Sequence, residues 1–205
     1  CHIRANLFHG KPKKNLVAVG DQVEIDTDDA GKAGWILKML PRRTMLSRRQ
    51  STDSLEQVLA SNADKVLVVA SLHSPPFRNG LVDRFFVAGS CGGLETVLIL
   101  SKADLSTEEE IASIKNLYLS LGYNILVTSV PESRGMDSLR ELLHHHTSVL
   151  CGHSGVGKSS LIKALCPHWK IRIGDVSGKS GKGRHITRMA EMYRLPSGGF
   201  IVDTP

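Results

Sequence analysis

The sequence predicts an α/β fold: a doubly wound parallel sheet preceded by a small all-β barrel. Three observations predict it. From residue 65 onward, continuous apolar runs alternate with stretches of helical periodicity, as in sheets covered on both faces. Gly152–Ser159 reads GHSGVGKS between a short apolar run and an amphipathic one, so strand, glycine loop and helix follow one another. Residues 1–50 instead carry short β-like runs separated by basic loops.

In the first 50 residues, a Gly20-Asp21 turn separates the apolar runs of Val17–Ile25, and Gly34–Leu40 reads as a further strand. Arg4, Lys11, Lys13, Lys14, Arg42, Arg43, Arg48 and Arg49 suggest an OB-type barrel that binds nucleic acid. With few aromatics beyond Phe8 and Trp35, a packing module with solvated basic residues stands equally beside that reading. Residues 51–64 read as a linker into a second domain, 65–205. That domain opens with a buried strand at Lys65–Ala70, broken by Ser74-Pro75-Pro76-Phe77. A helix follows over Leu81–Ala88, with Leu81, Phe85 and Val87 or Ala88 inward. Thr96–Leu100 is a second buried strand, and Ser106-Thr107-Glu108-Glu109 fits a capping box for a helix to about Leu121. Asn124–Thr128 is a strand and Met136–His145 a helix. After the glycine loop and its helix, residues 172–188 form a long glycine-rich basic loop, and Met189–Leu195 and Gly199–Asp203 a hairpin.

The 205 residues are 41% hydrophobic with a net charge of +6, enough for a sizeable core and suited to an anionic partner. Cys1, Cys91, Cys151 and Cys166 contain no C-x-x-C pair, which argues against disulfides and zinc within this segment and for a reducing compartment. No apolar run approaches a membrane span. The chain opens on Cys1 and stops at Pro205 within a motif, so both ends are expected to be cut.

GHSGVGKS matches the phosphate-binding P-loop. Gly152, Gly155 and Gly157 let the backbone of His153, Ser154 and Val156 turn its N–H groups onto phosphate oxygens, and the helix starting near Ser160 adds its positive end. Lys158 would reach the β- and γ-phosphates and the Ser159 hydroxyl would hold Mg²⁺. A glycine turn that binds nothing is the alternative, but Lys and Ser follow the last glycine in the required order.

Three further stretches bear on which nucleotide is bound. Ser101-Lys102-Ala103-Asp104, at the end of the second buried strand, resembles the N-K-x-D base-reading motif of GTPases. A carboxylate at Asp104 accepts from the ring N–H and exocyclic amine of guanine, a donor pair adenine lacks. The Lys102 stem would pack on the base and steady the P-loop, with Ser101 where Asn is usual. Ser129-Val130 resembles the Ser-Ala motif whose backbone N–H meets the guanine carbonyl. Asp203-Thr204-Pro205 resembles the D-x-P-G element, with Asp203 binding Mg²⁺ through water, about 45 residues beyond the P-loop. Taken singly, these are also a helix-entry turn and two strand ends. In ordinary GTPases the P-loop comes first and the base-reading motif near the end; here the base-reading motif and Ser129-Val130 precede the P-loop, which implies circular permutation.

Together with PRRTMLSRR at 41–49, SPPF at 74–77, VDRFFVA at 82–88 and SGKSGKGRHIT at 177–187, these motifs resemble the circularly permuted GTPases of small ribosomal subunit biogenesis, the RsgA/YjeQ-type family. The resemblance implies an N-terminal OB-fold, here lacking its first strand, a permuted GTPase domain, and a C-terminal zinc-binding domain absent from this chain. It implies Mg²⁺-dependent hydrolysis of GTP to GDP and phosphate, driving release from the small subunit and its 16S rRNA late in maturation, by a cytoplasmic monomer. A GTP-regulated rRNA-binding module with incidental hydrolysis, and a P-loop ATPase or kinase, are the competing readings. Two departures stand out: Ser101, and a loop Gly183-Arg184-His185-Ile186-Thr187 with fewer threonines than usual after the histidine. Thr187 remains to close on Mg²⁺ and the γ-phosphate, and His185 to orient the attacking water or to contact phosphate or rRNA. His144-His145-His146 sits at a helix end and is assigned no ligand role.

Overall fold

The computed structural model describes residues 2–3, 17–27, 34–50, 53–168 and 190–204. Strands β1 (His2–Ile3), β2 (Val23–Thr27) and β3 (Gly34–Met39) form a small sheet in the order β1-β3-β2, and β4 (Met45–Gln50) pairs antiparallel with β5 (Asp53–Ser61) as a ribbon. The rest is α/β: β6 (Lys65–Ser71), α1 (Asn79–Cys91), β7 (Glu95–Ser101), α2 (Glu108–Ser120), β8 (Asn124–Val127), α3 (Met136–Leu143), β9 (Thr147–Cys151), α4 (Lys158–Leu165), β10 (Glu191–Arg194) and β11 (Phe200–Asp203). The strands build one six-stranded sheet in the order β10-β11-β9-β6-β7-β8, parallel except for the edge strand β10. The doubly wound sheet and the small β sheets ahead of it agree with the predicted fold class. Closure of those sheets into a barrel involves residues outside the described ones.

Each sheet face carries its own core. Helices α3 and α4 bring Met136, Leu139, Leu143, Leu161 and Ile162 onto Leu67, Val69, Ile99, Leu150 and Ile201. On the opposite face, Val82 and Phe86 of α1 and Tyr118 of α2 pack on Val66, Val68, Leu98, Val149 and Val202. Leu46, Leu59 and Ala60 of the ribbon join that second core. Residues 51–64 are therefore not a linker. Most of them form β5, whose Val58, Leu59 and Ala60 are buried, Leu59 and Ala60 in the same core as α1 and α2.

In helix α1, Phe85 and Ala88 pack partly buried against the core as expected, but a rotation of one residue makes the following positions the deepest. Val82, Phe86 and Gly89 face inward, while Val87 is 61% exposed. Close approach decides this: a Cβ on Gly89 would lie 2.5 Å from Thr96 Cγ2, so only glycine allows the helix to sit this near β7. The same rotation brings Asp83 to accept from the Tyr118 hydroxyl at 3.0 Å. The capping box of α2 is also displaced by one. Thr107 is the N-cap, accepting from the Glu110 N–H at 3.3 Å, while the Glu110 carboxylate accepts from the Thr107 N–H at 2.9 Å. The predicted hairpin before the chain end is β10 and β11.

The N-terminal sheets are tied to the ribbon by one buried ion pair. Arg42 donates to both Asp21 oxygens, at 2.6 and 2.7 Å, and the Ser61 hydroxyl and Ala18 N–H donate to the same carboxylate. Burial raises the Asp21 pKa, but Arg42 and the other two donors outweigh it and hold the carboxyl below its ordinary 3.8. The contribution of Asp21 to stability is accordingly full above that value and lost as pH falls through the lower folded-state one. Asp21→Asn is expected to cost about 3 kcal/mol in urea unfolding near neutral pH, because it removes the carboxylate that pairs with Arg42 and accepts from Ser61 and Ala18. It should also remove part of the acid-induced loss of stability. Unfolding midpoints matching wild type at both pH 7 and pH 3 would contradict this.

Candidate functional site

The carboxyl ends of β6, β7, β8, β9 and β11 meet along one edge of the sheet, where ligands of such folds bind. From β9 the chain enters the glycine loop. Gly152 has φ 147°, and a Cβ there would stand 2.1 Å from the Val69 carbonyl, so the loop can leave the strand only through glycine. Gly157, at φ 100°, is the N-cap of α4 and supplies no side-chain cap, so the first N–H groups of the helix have no capping side chain. The Lys158 ammonium folds back onto the carbonyls of Gly152 and His153, at 2.7 and 3.1 Å. Burial lowers its pKa, and the nearby Asp203 carboxylate opposes that shift.

Two side chains from the end of β7 brace this loop. The Ser101 hydroxyl lies 2.5 Å from the Val156 carbonyl and 3.1 Å from that of Ala70. Lys102, in left-handed backbone at φ 56°, donates to the carbonyls of Gly155 at 2.7 Å and Ser74 at 2.6 Å. Serine thus makes a contact with the loop from the position where asparagine is usual. Asp104, in the turn Ala103–Leu105, accepts from the Ser129 hydroxyl at 2.6 Å. The Ser129 N–H is itself spent on the Arg134 carbonyl, leaving the N–H of Val130 for the role expected of this pair. Residues 101–104, 129 and 152–158 are therefore joined by hydrogen bonds into one cluster. The part of Ser74 in it carries no signal in its residue type, because a main-chain carbonyl makes the contact.

Asp203 ends β11 opposite Leu150 and is only 6% exposed. Its Oδ1 is buried without a hydrogen-bond partner among the described residues. Burial pushes its pKa above the ordinary 3.8, with Lys158 pulling the other way. The next residue, Thr204, donates to the Leu150 carbonyl at 2.9 Å and locks this strand end to the P-loop strand. An unpartnered carboxylate oxygen beside the loop that carries the Ser159 hydroxyl suits a hard divalent cation such as Mg²⁺. Ser159 is half-buried and Ser160 exposed on the first turn of α4. His185 and Thr187 lie outside the described residues. Among the described residues there is no cluster of three or more His, Cys, Asp or Glu side chains placed to hold a metal, the three consecutive histidines included. Nor is any helix long and apolar enough to cross a membrane.

The sequence profile of the RsgA GTPase family matches residues 39–205. The chain belongs to that family. It is 39% identical over 201 residues to the small ribosomal subunit biogenesis GTPase RsgA of Chlorobaculum parvum, covering 93% of this chain and 64% of that protein. It is 41% identical over 205 residues to the protein of the same name from Moorella thermoacetica, covering 100% and 66%. Among solved structures it is similar to YjeQ from Thermotoga maritima, with TM-score 0.72, 30% identity, and coverage of 99% of this chain and 64% of that one. YloQ, described as a circularly permuted GTPase, follows at TM-score 0.60 and 28% identity, covering 94% and 58%. The chain thus spans about two thirds of the length of these family members. The permuted order of motifs is the family's own.

Because Asp203 has a raised folded-state pKa, the unfolded chain releases this proton first. Nucleotide-free stability from this group is then present below 3.8 and lost as pH rises through the folded value. Asp203→Asn is expected to stabilise the nucleotide-free chain at pH 7 by about 1 kcal/mol, at the expense of any metal-dependent activity. Urea midpoints at pH 4 and pH 7 test this; a variant less stable than wild type at pH 7 would overturn it.

Proposed function

We propose that this chain binds GTP and, with Mg²⁺, hydrolyses it to GDP and phosphate, in the service of small ribosomal subunit maturation. One observation carries the nucleotide reading above all others: Ser101 and Lys102 of the base-reading turn bond directly to Val156 and Gly155 of the phosphate loop. A base and a phosphate chain held by those two elements belong to one ligand. Asp104 faces the guanine donor pair, and the N–H of Val130 the guanine carbonyl. The P-loop N–H groups receive phosphate oxygens, and the Lys158 ammonium neutralises charge on the β- and γ-phosphates. Mg²⁺, held by Ser159, Thr187 and through water by Asp203, would stabilise charge on the phosphoryl oxygens. Water then attacks the γ-phosphorus as the bond to the β–γ bridging oxygen breaks. His185 orients that water when the chain is bound to the subunit.

The partner is the small subunit, in line with the name of the relatives, and its 16S rRNA, in line with the net charge of +6. Hydrolysis sets release, and the protein acts as a cytoplasmic monomer. Residues 1–50 serve as the rRNA-binding module and 65–205 as the GTPase domain. Zinc belongs to a further domain of the full-length protein.

Competition for bound fluorescent GDP separates this from an ATPase or kinase. GDP and GTP should displace it and ATP should not; ATP acting as well as GTP would refute the role of Asp104. Asp104→Asn replaces an acceptor pair by one donor and one acceptor, so guanosine nucleotides should weaken at least about 100-fold and xanthosine nucleotides gain. In the full-length protein, His185→Ala should abolish the acceleration of hydrolysis by small subunits without weakening GTP binding. An unchanged subunit-stimulated rate would remove His185 from the mechanism. Lys158→Ala should lose turnover, and normal release of that variant from the subunit with GTP bound would favour a binding module over an enzyme.

A further inference from the structure

A second loop stands against the phosphate loop. Strand β6 ends at Ser71, directly beside Ser101 at the end of β7. The Ser71 hydroxyl, in a residue only 1% exposed, donates to the Pro75 carbonyl at 2.9 Å. The Phe77 N–H donates to the Leu72 carbonyl at 3.2 Å, so the loop is closed on itself. Within it, Ser74 takes left-handed backbone, φ 52°, and its carbonyl accepts from the Lys102 ammonium at 2.6 Å. Lys102 is left-handed too, at φ 56°, and its ammonium is shared with Gly155 at 2.7 Å. Pro75 Cδ lies 3.7 Å from where a Cβ on Gly155 would stand, so the two loops also touch. Two non-glycine residues in a sparsely populated conformation, bonded to each other across the site, mark a geometry that the surrounding structure imposes.

We propose that the Ser71–Phe77 loop is a positioning element of the nucleotide site, with Ser71 as its positioning residue acting through Lys102. This rests on the guanine-nucleotide reading above. By holding Pro75, the Ser71 hydroxyl holds the neighbouring Ser74 carbonyl where the ammonium can bridge it to Gly155. An ammonium with two fixed acceptors keeps its four-carbon stem in one direction. With one acceptor displaced, the stem regains rotamer freedom that nucleotide binding must then remove. The stem is the surface assigned to the base, and the Gly155 carbonyl belongs to the loop assigned to the phosphates. Ser71 therefore acts on ground-state binding of any guanosine nucleotide, and not on the γ-phosphate step.

Calorimetric titration of the nucleotide-free chain with GDP and with a non-hydrolysable GTP analogue tests this. Ser71→Ala should raise both Kd values by the same factor, about fivefold, the worth of one hydrogen bond. In turnover the same change should appear in KM, with kcat altered less than twofold. Ser71→Thr, which keeps the hydroxyl, should restore binding. Against Lys102→Ala, Ser71→Ala should have no further effect, because its influence passes through that ammonium. Should Ser71→Ala not fold, Ser71→Cys, a weak donor of similar size, serves in the same cycle. A wild-type chain that takes up no GDP would overturn the nucleotide reading, and the inference with it. Normal wild-type binding with an unchanged Ser71→Ala, or losses that add in the double variant, would overturn the inference alone.

Discussion

The site depends on two hydrogen bonds from the end of one strand to the loop after another: Ser101 to Val156, and Lys102 to Gly155. A glycine-rich loop is soft, and three glycines in positive φ supply the turn but no rigidity. Its carbonyls at Gly155 and Val156 accept from side chains of another strand end, which restrains the loop. Strand β7 supplies them from the turn that carries Asp104. The loop is thereby stiffened by the same segment that would read the base, so recognition at one end of a nucleotide is tied mechanically to the other.

Strand β9 ends at Cys151, opposite Val68 of β6, while β7 ends at Ser101, opposite Ser71, so the glycine loop runs on beside the last residues of β7. The register provides this: β6 pairs in parallel with both, Lys65 facing Glu95 on one side and Ser148 on the other. Apolar side chains on both faces of all three strands leave the register little freedom, since slipping by one residue would turn each set to the wrong face. At the far end of the same strands, Asp64 accepts from the Thr147 N–H at 2.8 Å and from Arg43 of the N-terminal segment at 2.7 Å. The small β sheets are thus anchored to the root of the P-loop strand, and to the ribbon through Asp21 and Arg42.

Charge in the nucleotide-free site is left unbalanced. Lys158 rests on carbonyls, and Asp203 keeps an oxygen without a hydrogen-bond donor among the described residues. Both groups have their pKa values pushed toward neutrality of charge by burial, and each partly offsets the other. Such a pair costs stability in the empty protein and is relieved by an anionic phosphate on one side and a cation on the other. Stability given up in this way is what a preorganised electrostatic site requires.

Most of the fold was legible in the sequence, and residues 101–104, 129 and 152–158, named from the sequence as candidates, lie together at one edge of the sheet. Continuous apolar runs such as Val66–Val69 and Val97–Leu100 suit strands covered on both faces, and the spacing of Gly152, Gly157, Lys158 and Ser159 matches that of a phosphate-binding loop. Those constraints are local, so the residues that satisfy them lie close together in the chain. What the sequence left open was set by distant partners. Residues 51–64 read as a linker because the core that Leu59, Ala60 and Ala63 join is built by residues distant in the chain. Helix α1 is turned by one position because Gly89 meets Thr96, and the cap of α2 moves to Thr107 because geometry, not residue type, chooses between neighbouring Ser and Thr. The Ser74 carbonyl and the orphaned Asp203 oxygen have no signature in residue identity at all. By itself the sequence determined which chemistry the chain can carry, since side-chain type and spacing specify donors and acceptors. Only the tertiary structure decided which main-chain groups answer them, because every residue bears the same carbonyl and packing alone selects the one that is reached.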